Sequence, residues 1–313
     1  MFPVFISTLT PMLMMFSCIL LGYLLAKKKL LPQGADTVLS KLETYALLPA
    51  LTLSTFMNQC TLESLSSMRW YILAGACLVL LATGLSYPLS RIFSKGGYER
   101  NVYKYALTFG NYGFLGNAVV PIVLGQEYLY PYMLFTLPLT MICYSWGLAI
   151  LIPKKEAKPP FWKNFMNPSI FAVVIGVILG VTGAKSVLPD FIPMTMTNLG
   201  NCVGPVAMIL TGIVTAKYSL KDLLFKPMVY LSGAFRLVLL PAAFAAILIL
   251  LKVDPMIVKL SLFAFATPFG LNTVVFPSAY GGDPSTGASM ALITHTLCVV
   301  TIPLLYAAVC LFL

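Results

Sequence analysis

Ten apolar stretches follow one another along this chain, at 3–26, 38–57, 70–92, 102–124, 131–152, 168–184, 191–215, 227–251, 256–280 and 286–312. Each is near the ~20 residues that cross the ~30 Å hydrocarbon core of a bilayer as a helix. The joints between them are too short to hold a separate soluble domain. Charge does not support a soluble reading either: 10% of the 313 residues are charged, against about 25% in soluble domains. With 59% hydrophobic residues the chain is not disordered, and it has no Gly-X-Y period to make it collagen-like. The expected fold class is an all-α polytopic membrane protein with ten transmembrane helices, and the lipid bilayer is its first partner.

The net charge is +10. On a soluble chain this would raise nucleic acid as a partner. On a membrane chain it reads as a basic cytoplasmic face, and no nucleic acid is expected. Loop one carries Lys27, Lys28 and Lys29, and loop three with its flanks carries Arg91, Lys95, Arg100 and Lys104. Loop five carries Lys154, Lys155, Lys158 and Lys163, and loop seven carries Lys217, Lys221 and Lys226. These 14 basic residues face only four at the even loops: Arg69, Lys185, Lys252 and Lys259. The positive-inside rule puts the odd loops in the cytoplasm and both termini outside. Loop nine has no Lys or Arg, so its side follows only from the number of spans. Lys41 and Arg236 fall within spans. Lys and Arg are absent before Lys27, and the first apolar run is too long for a signal-peptide core, so no signal peptide is expected. The seven cysteines, Cys18, Cys60, Cys77, Cys143, Cys202, Cys298 and Cys310, are odd in number and include no CxxC. They read as small buried apolar residues, with no metal or cofactor.

The two halves look alike. Leu21-Gly22 before Ala26-Lys27 matches Leu179-Gly180 before Ala184-Lys185 at an offset of 158. Pro11 and Pro168 differ by 157, Pro49 and Pro205 by 156, and Asn117 and Asn272 by 155. Each of those two asparagines precedes a Val-Val pair and then a proline. Five spans per half would make the second repeat inverted in the membrane, as in many secondary transporters. The expected organisation is a first five-helix repeat at 1–152, a cytoplasmic linker at 153–167 and an inverted second repeat at 168–313. Pro168 suits a helix start, and Asn167 before it can cap the free N–H groups.

Chemistry is expected where the helices break. Span four contains Gly110, Asn111, Gly113, Gly116, Asn117 and Pro121, and span nine contains Thr267, Pro268, Gly270 and Asn272. Inside a helix Gly costs ~1 kcal/mol relative to Ala and Pro ~3. Non-helical backbone at membrane depth survives only when buried in protein or lining a wet cavity. Breaks in corresponding positions of two halves point to a transporter's site, and their half-helix N-termini favour an anion. The alternative for these residues is close helix packing through small side chains. No strand precedes the span-four glycines and no GK[ST] follows, so they do not form a nucleotide loop. His295 is the only histidine; it is a proton carrier or a hydrogen-bonded packing residue. Only Glu43 among the acids lies within an apolar segment, so no carboxylate pair sits at depth for acid catalysis or a two-acid proton site. Arg236 lies nine residues into span eight, ~13 Å at 1.5 Å per residue. It either draws an anion inward or caps carbonyls of a broken helix.

At these residues the chain resembles the auxin efflux carrier family, which includes plant PIN proteins and bacterial carriers of dicarboxylates. The resemblance rests on Asn111-Tyr112-Gly113-Phe114-Leu115-Gly116, on Pro268 with Asn272, on Tyr280-Gly281-Gly282-Asp283, and on Thr296-Leu297 before Ile302-Pro303. It covers nearly the full length. The family's proline two residues after the last glycine of the first motif is Ala118 here. The resemblance implies a fold like that of bile-acid sodium symporters: inverted five-span repeats, two unwound helices crossing at the substrate site, a scaffold of spans one, two, six and seven, and a transport domain of the rest. It implies a secondary carrier of a small organic anion, auxin-like or a dicarboxylate. Asn111 and Asn272 would bind substrate, with Asn117, Thr267 and Tyr144 beside them. Gly110, Gly113, Gly116, Pro121, Pro268 and Gly270 would shape the crossing. Monomer and homodimer both stay open, and a channel for a small anion is the rival reading.

Two predictions follow from charge. Cysteines placed at Lys155 and Lys221 should be labelled only from the cytoplasm and one at Lys252 only from outside. Labelling of Lys155→Cys in intact cells by an impermeant reagent would reverse the orientation. Since paired membrane-buried carboxylates are lacking, transport should show no strong sodium dependence and at most proton coupling through a minor site. Loss of transport when choline replaces sodium would contradict this.

Overall fold

The computed structural model describes residues 2–153, 168–279 and 281–313. Lys154, Lys155, Lys158 and Lys163 of loop five, the capping Asn167 and Tyr280 of the third motif lie outside the described residues. Described secondary structure is helical, apart from one isolated antiparallel bridge between Gly110 and Phe269.

The chain opens with α1 (Phe2–Lys27). Next, α2 (Ala35–Leu42) runs through a π-helical turn, Glu43–Leu47, into α3 (Leu48–Gln59). A short α4 (Leu62–Ser67) leads to α5 (Arg69–Phe93). Then α6 (Gly97–Thr108) stops, and the chain resumes as a π turn, Tyr112–Gly116, leading into α7 (Asn117–Val123). The first half closes with α8 (Leu129–Ile142), a π turn at Cys143–Gly147, and α9 (Leu148–Leu151). The second half has α10 (Pro168–Thr182), α11 (Phe191–Asn201), α12 (Val203–Ala216) and the short α13 (Leu220–Leu224). After these, α14 (Pro227–Ala234) passes through a π turn, Phe235–Leu239, into α15 (Leu240–Leu250). The last elements are α16 (Pro255–Phe265), α17 (Asn272–Ala279) and α18 (Ser285–Val309).

Among the described residues, six helical runs are long and apolar enough to cross a membrane: Phe2–Lys27, Arg69–Phe93, Gln126–Leu151, Phe191–Ala216, Pro227–Leu250 and Ser285–Val309. The chain is thus a multi-pass membrane protein. The other expected spans are built from shorter pieces, such as the 15 residues of α10. Proline accounts for several interruptions, because it lacks an N–H and its ring crowds the carbonyl four residues back. Pro49 follows the π turn at Glu43–Leu47, and Pro241 follows the one at Phe235–Leu239. In each case the widened turn relieves that crowding. Glu43 itself is fully buried, and its oxygens have no hydrogen-bond partner among the described residues.

Small residues let the helices approach closely, as expected where lipid supplies no hydrophobic drive between helices. A Cβ on Gly22 of α1 would strike the carbonyl oxygen of Ile209 in α12, and one on Gly212 of α12 would strike that of Ile19. Gly176 and Gly180 of α10 pack in the same way on Phe56 and Cys60. Gly75 of α5 packs on the carbonyl of Phe135 in α8.

Side chains tie the loops into two ends. At one end Lys217 pairs with Asp36 at 2.6 Å, and the Tyr98 hydroxyl donates to the Leu151 carbonyl at 2.6 Å while lying against Gly282. Tyr218 joins the two groups: burial, then the charges of Asp283 and Asp36, hold its phenol above its ordinary value. Loop nine, which has no basic residue of its own, therefore shares an end with loops one, three and seven. At the other end the Tyr71 hydroxyl donates to Asp254 at 3.2 Å, and the Ser64 and Tyr130 hydroxyls meet at 3.1 Å.

Gly22→Leu or Gly212→Leu should force α1 and α12 apart. Overpacking of this kind costs about 1–3 kcal/mol or more, so the melting temperature of the purified protein should fall clearly. Gly84→Ala, with nothing within 4 Å of the added carbon, is the control and should melt like the parent.

Candidate functional site

The two interruptions meet at the centre of the molecule. Past the end of α6, Gly110 bridges to Phe269, and the Asn111 amide donates to the Pro268 carbonyl at 2.7 Å. The Phe269 amide donates to the Thr294 hydroxyl of α18 at 3.0 Å. Main-chain groups that the broken helices cannot pair internally are thus paired across the crossing. Sequence sets the place. Pro268 has no N–H to continue α16. Gly110 alone fits its position, because a Cβ there would strike the Thr267 hydroxyl and come 2.5 Å from an Arg236 Nη atom. Gly270 lies against the Gly110 carbonyl, 3.2 Å from where its own Cβ would be.

The span-four break lies earlier than several expected residues. Gly113 and Gly116 belong to the π turn that follows it, and Pro121 sits inside α7. Gly116 has a packing role, since any side chain there would strike the Tyr132 hydroxyl. That hydroxyl in turn donates to the Tyr112 carbonyl at 3.0 Å. The chain opens where Gly110 must admit Thr267 and Arg236, and it is helical again by Tyr112.

A cavity of ≈100 Å³ lies beside the crossing. Its wall includes Gly110, Asn111, Gly113, Asn117, Tyr144, Gly270 and Asn272 from the expected set. Thr267, Pro268, Gly116, Pro121, Arg236 and His295 stand outside that wall. The rest comes from α3 (Leu48, Thr52, Phe56), α8 (Met133, Thr136, Leu137, Thr140) and the start of α10 (Ser169, Ile170, Val173), together with Tyr105, Tyr112, Phe114, Cys143 and Leu271. Neutral polar groups on an otherwise apolar wall suit a small ligand with one polar end.

The asparagines differ in their ties. Asn272 donates through Nδ2 to the Tyr105 hydroxyl at 2.9 Å, and that hydroxyl meets Cys143 Sγ at 2.9 Å. Asn117 donates to the Gly113 carbonyl of its own turn at 2.7 Å. Asn111 places Nδ2 3.0 Å from His295 Nε2. The side-chain oxygens of Asn111 and Asn117 are buried without a hydrogen-bond partner among the described residues. The Thr267 hydroxyl turns back to the Ala264 carbonyl at 3.0 Å, so it caps its own helix end rather than facing the cavity. Tyr144 packs edge-on to Phe276 at 6.4 Å between ring centroids.

Arg236 is fully buried on the π turn Phe235–Leu239. Its guanidinium lies 5.4 Å from the Phe265 ring centroid, at the end of α16, and against Gly110, just past the end of α6. None of its nitrogens has a hydrogen-bond partner among the described residues. A cation at two helix C-termini meets their partial negative charge, and here it lies against Gly110, which is part of the cavity wall.

Sequence reading missed Tyr105, Thr52, Thr136, Thr140 and Cys143. Cys143 is not merely a small apolar filler; it belongs to the Tyr105–Asn272 cluster. One signal was present: Thr136, Thr140 and Tyr144 recur every four residues, which places three polar groups on one helical face.

A family model described as membrane transport protein matches residues 7–306. No curated protein matches the chain.

Tyr105→Phe would remove the 2.9 Å acceptor of the half-buried Asn272 amide and leave it only Cys143 Sγ at 3.8 Å. A net hydrogen bond contributes about 0.5–1.5 kcal/mol. Thermal unfolding should show this loss, whereas Tyr45→Phe, on an exposed side chain, should not.

Proposed function

The chain belongs to the auxin efflux carrier family of membrane transport proteins, a family of transporters and not of enzymes, and on that premise we propose that it is a secondary active, efflux-type carrier of a small organic anion such as a carboxylate. Substrate binds in the cavity at the crossing, held by Asn111 and Asn272 with Asn117 and Tyr144 beside them. One observation carries this reading. A mainly apolar cavity that presents neutral amides and hydroxyls is bordered at Gly110 by a fully buried arginine that pairs with no carboxylate among the described residues. The positive charge is therefore left for a ligand. Its size suits a carboxylate of few carbons, since a dry cavity of about 150 Å³ accommodates benzene.

On this reading the close pairs α1 with α12 and α3 with α10 form a scaffold, together with α2 and α11. The remaining spans move as a transport unit, alternating access at the crossing. Support comes from glycine positions in the two halves. Gly22 and Gly180, 158 apart, each pack on a scaffold helix, and Gly75 and Gly233, also 158 apart, lie on α5 and α14. Gly75 faces α8, and Gly233 faces Thr294 of α18. Such correspondence fits two inverted five-helix repeats. The end that gathers loops one, three, seven and nine is the basic one, and on the positive-inside rule it faces the cytoplasm. Both termini are then outside, in the cytoplasmic membrane. A channel would instead need a continuous polar path; saturable counterflow in proteoliposomes distinguishes the two.

Asn111→Ala and Asn272→Ala should each remove a hydrogen bond to substrate, worth about 0.5–1.5 kcal/mol and more when the partner is charged. That corresponds to an affinity loss of roughly 3- to 100-fold. Direct binding to the purified variants, for an anion the parent is shown to carry, is the measurement. Unchanged affinity in both, accompanied by lower stability, would make them packing residues and end this assignment.

A further inference from the structure

His295 sits on α18, fully inside the protein, between two cavities. On one side it meets Asn111 and, through it, the candidate site. On the other it lines a second, open-sided cavity of ≈160 Å³ formed by α1, α12, α13 and α18, with Tyr23, Thr211, Thr215 and Thr296 on its wall. Its two ring nitrogens have different partners. Nδ1 lies 2.7 Å from the Ala291 carbonyl oxygen. A carbonyl only accepts, so Nδ1 carries a hydrogen. Nε2, in the neutral ring, is then bare and accepts from Asn111 Nδ2 at 3.0 Å. This fixes the Asn111 carboxamide with Oδ1 turned away from His295, buried and without a hydrogen-bond partner among the described residues.

That arrangement is the wrong one for an anion, because the asparagine offers the cavity wall an acceptor. We propose that His295 is the proton-binding site of this carrier and that its protonation turns the Asn111 carboxamide so that the amide hydrogens face the bound anion. This rests on the carboxylate-carrier reading above and names its coupling ion. A proton from water forms the Nε2–H bond. Nε2 is then a donor and no longer tolerates Nδ2 opposite it. A half-turn of the carboxamide exchanges Oδ1 and Nδ2 in nearly the same volume. Oδ1 accepts from Nε2–H, and Nδ2 donates to the substrate carboxylate. One proton and one negative charge bind together.

The groups around His295 supply no alternative partner for the proton. Tyr23 of α1 shares the second cavity. Cys298 on the same helix donates to the His295 carbonyl. Tyr105 of α6 and Cys143 are bound to Asn272 across the site. Arg236, from the span packed against α18, lies at Gly110, next to Asn111 in sequence. Cys18 and Lys27 of α1, Tyr98, Glu99, Arg100, Tyr103 and Lys104 of α6, Lys259 of α16, Tyr230 of α14 and Lys221 of α13 are the remaining described titratable groups on helices packed against α18, and the ring of His295 bonds to Asn111 and Ala291 instead. Among the described residues no carboxylate forms an ion pair with His295. With one buried cation already present, a second positive charge needs the anion itself. By reciprocity, the anion then needs the proton.

The sole histidine of the chain makes the test direct. Protein purified without a histidine tag and labelled with ring-¹⁵N histidine reports this one ring. In the ligand-free protein at neutral pH the spectrum should show Nδ1 protonated and Nε2 bare; a protonated Nε2 with bare Nδ1 would overturn the proposal. Acetate, succinate and indole-3-acetate are then titrated calorimetrically in buffers of different ionisation enthalpy. Above the pH at which free His295 gives up its proton, a bound probe should take up one proton, convert the ring to imidazolium, and lose affinity about tenfold per pH unit. His295→Gln should bind with no proton uptake and a flat pH profile. Binding to the parent without proton uptake would refute the coupling while leaving the carrier reading intact. If none of the probes binds at all, the carboxylate reading fails and this inference fails with it.

Discussion

The centre of this protein is governed by a rule of the bilayer: a main-chain N–H or C=O with no partner is prohibitively costly away from water. In a solvent that cannot hydrogen-bond, each such group costs about 4–8 kcal/mol. Two helices that stop midway must therefore find partners elsewhere, and here they find each other. The Asn111 amide reaches Pro268, Gly110 bridges to Phe269, and Phe269 borrows the hydroxyl of Thr294. Gly110 is the residue on which this depends, because Thr267 and Arg236 occupy the space that any side chain would need. The polar cavity is a consequence of the break, since the side chains of the residues beside it no longer point along a regular helical face.

Charge and hydrogen bonding are divided between two sides of that crossing. Arg236 sits against Gly110 and Phe265, at the ends of α6 and α16. On the cavity side the wall is mainly apolar, and its polar groups are neutral: amides, hydroxyls and a thiol. A full charge buried without a counter-charge is costly, and helix-end dipoles offset part of that cost. No carboxylate among the described residues pairs with Arg236 to offset the remainder. The single acid within an apolar segment, Glu43, lies on the π turn between α2 and α3, and among the described residues it forms no ion pair with Arg236.

Sequence and structure agree most where a residue is out of place locally. Asn111, Asn272, Pro268 and Gly110 stand out because amides, proline and glycine are costly inside an apolar helix, and all four lie at the crossing. Legibility ends where a role depends on a distant partner. The contact from Asn111 to His295 spans 184 residues, and that from Tyr105 to Cys143 spans 38. Nothing local marks Cys143 as polar or Tyr105 as a cavity residue. Pro121 misleads for the opposite reason. It is a helix breaker by composition, yet it sits within α7, downstream of a break that was set by close contact at Gly110. The four-residue period of Thr136, Thr140 and Tyr144 was visible but is common in apolar helices, where such hydroxyls bond back to their own turn, as Thr140 does to Thr136.

The crossing is held by main-chain hydrogen bonds, the Thr294 hydroxyl and one glycine, while the cavity beside it is lined by side chains carried on α3, α8, α10 and the residues flanking the breaks. Architecture and lining are thus largely separate features of the chain. Thr52, Thr136, Leu137 or Ile170 could be exchanged for larger, smaller or more polar residues without touching a bond that holds the crossing together. A protein built this way can change the shape and polarity of that cavity by small steps, each one leaving the frame intact.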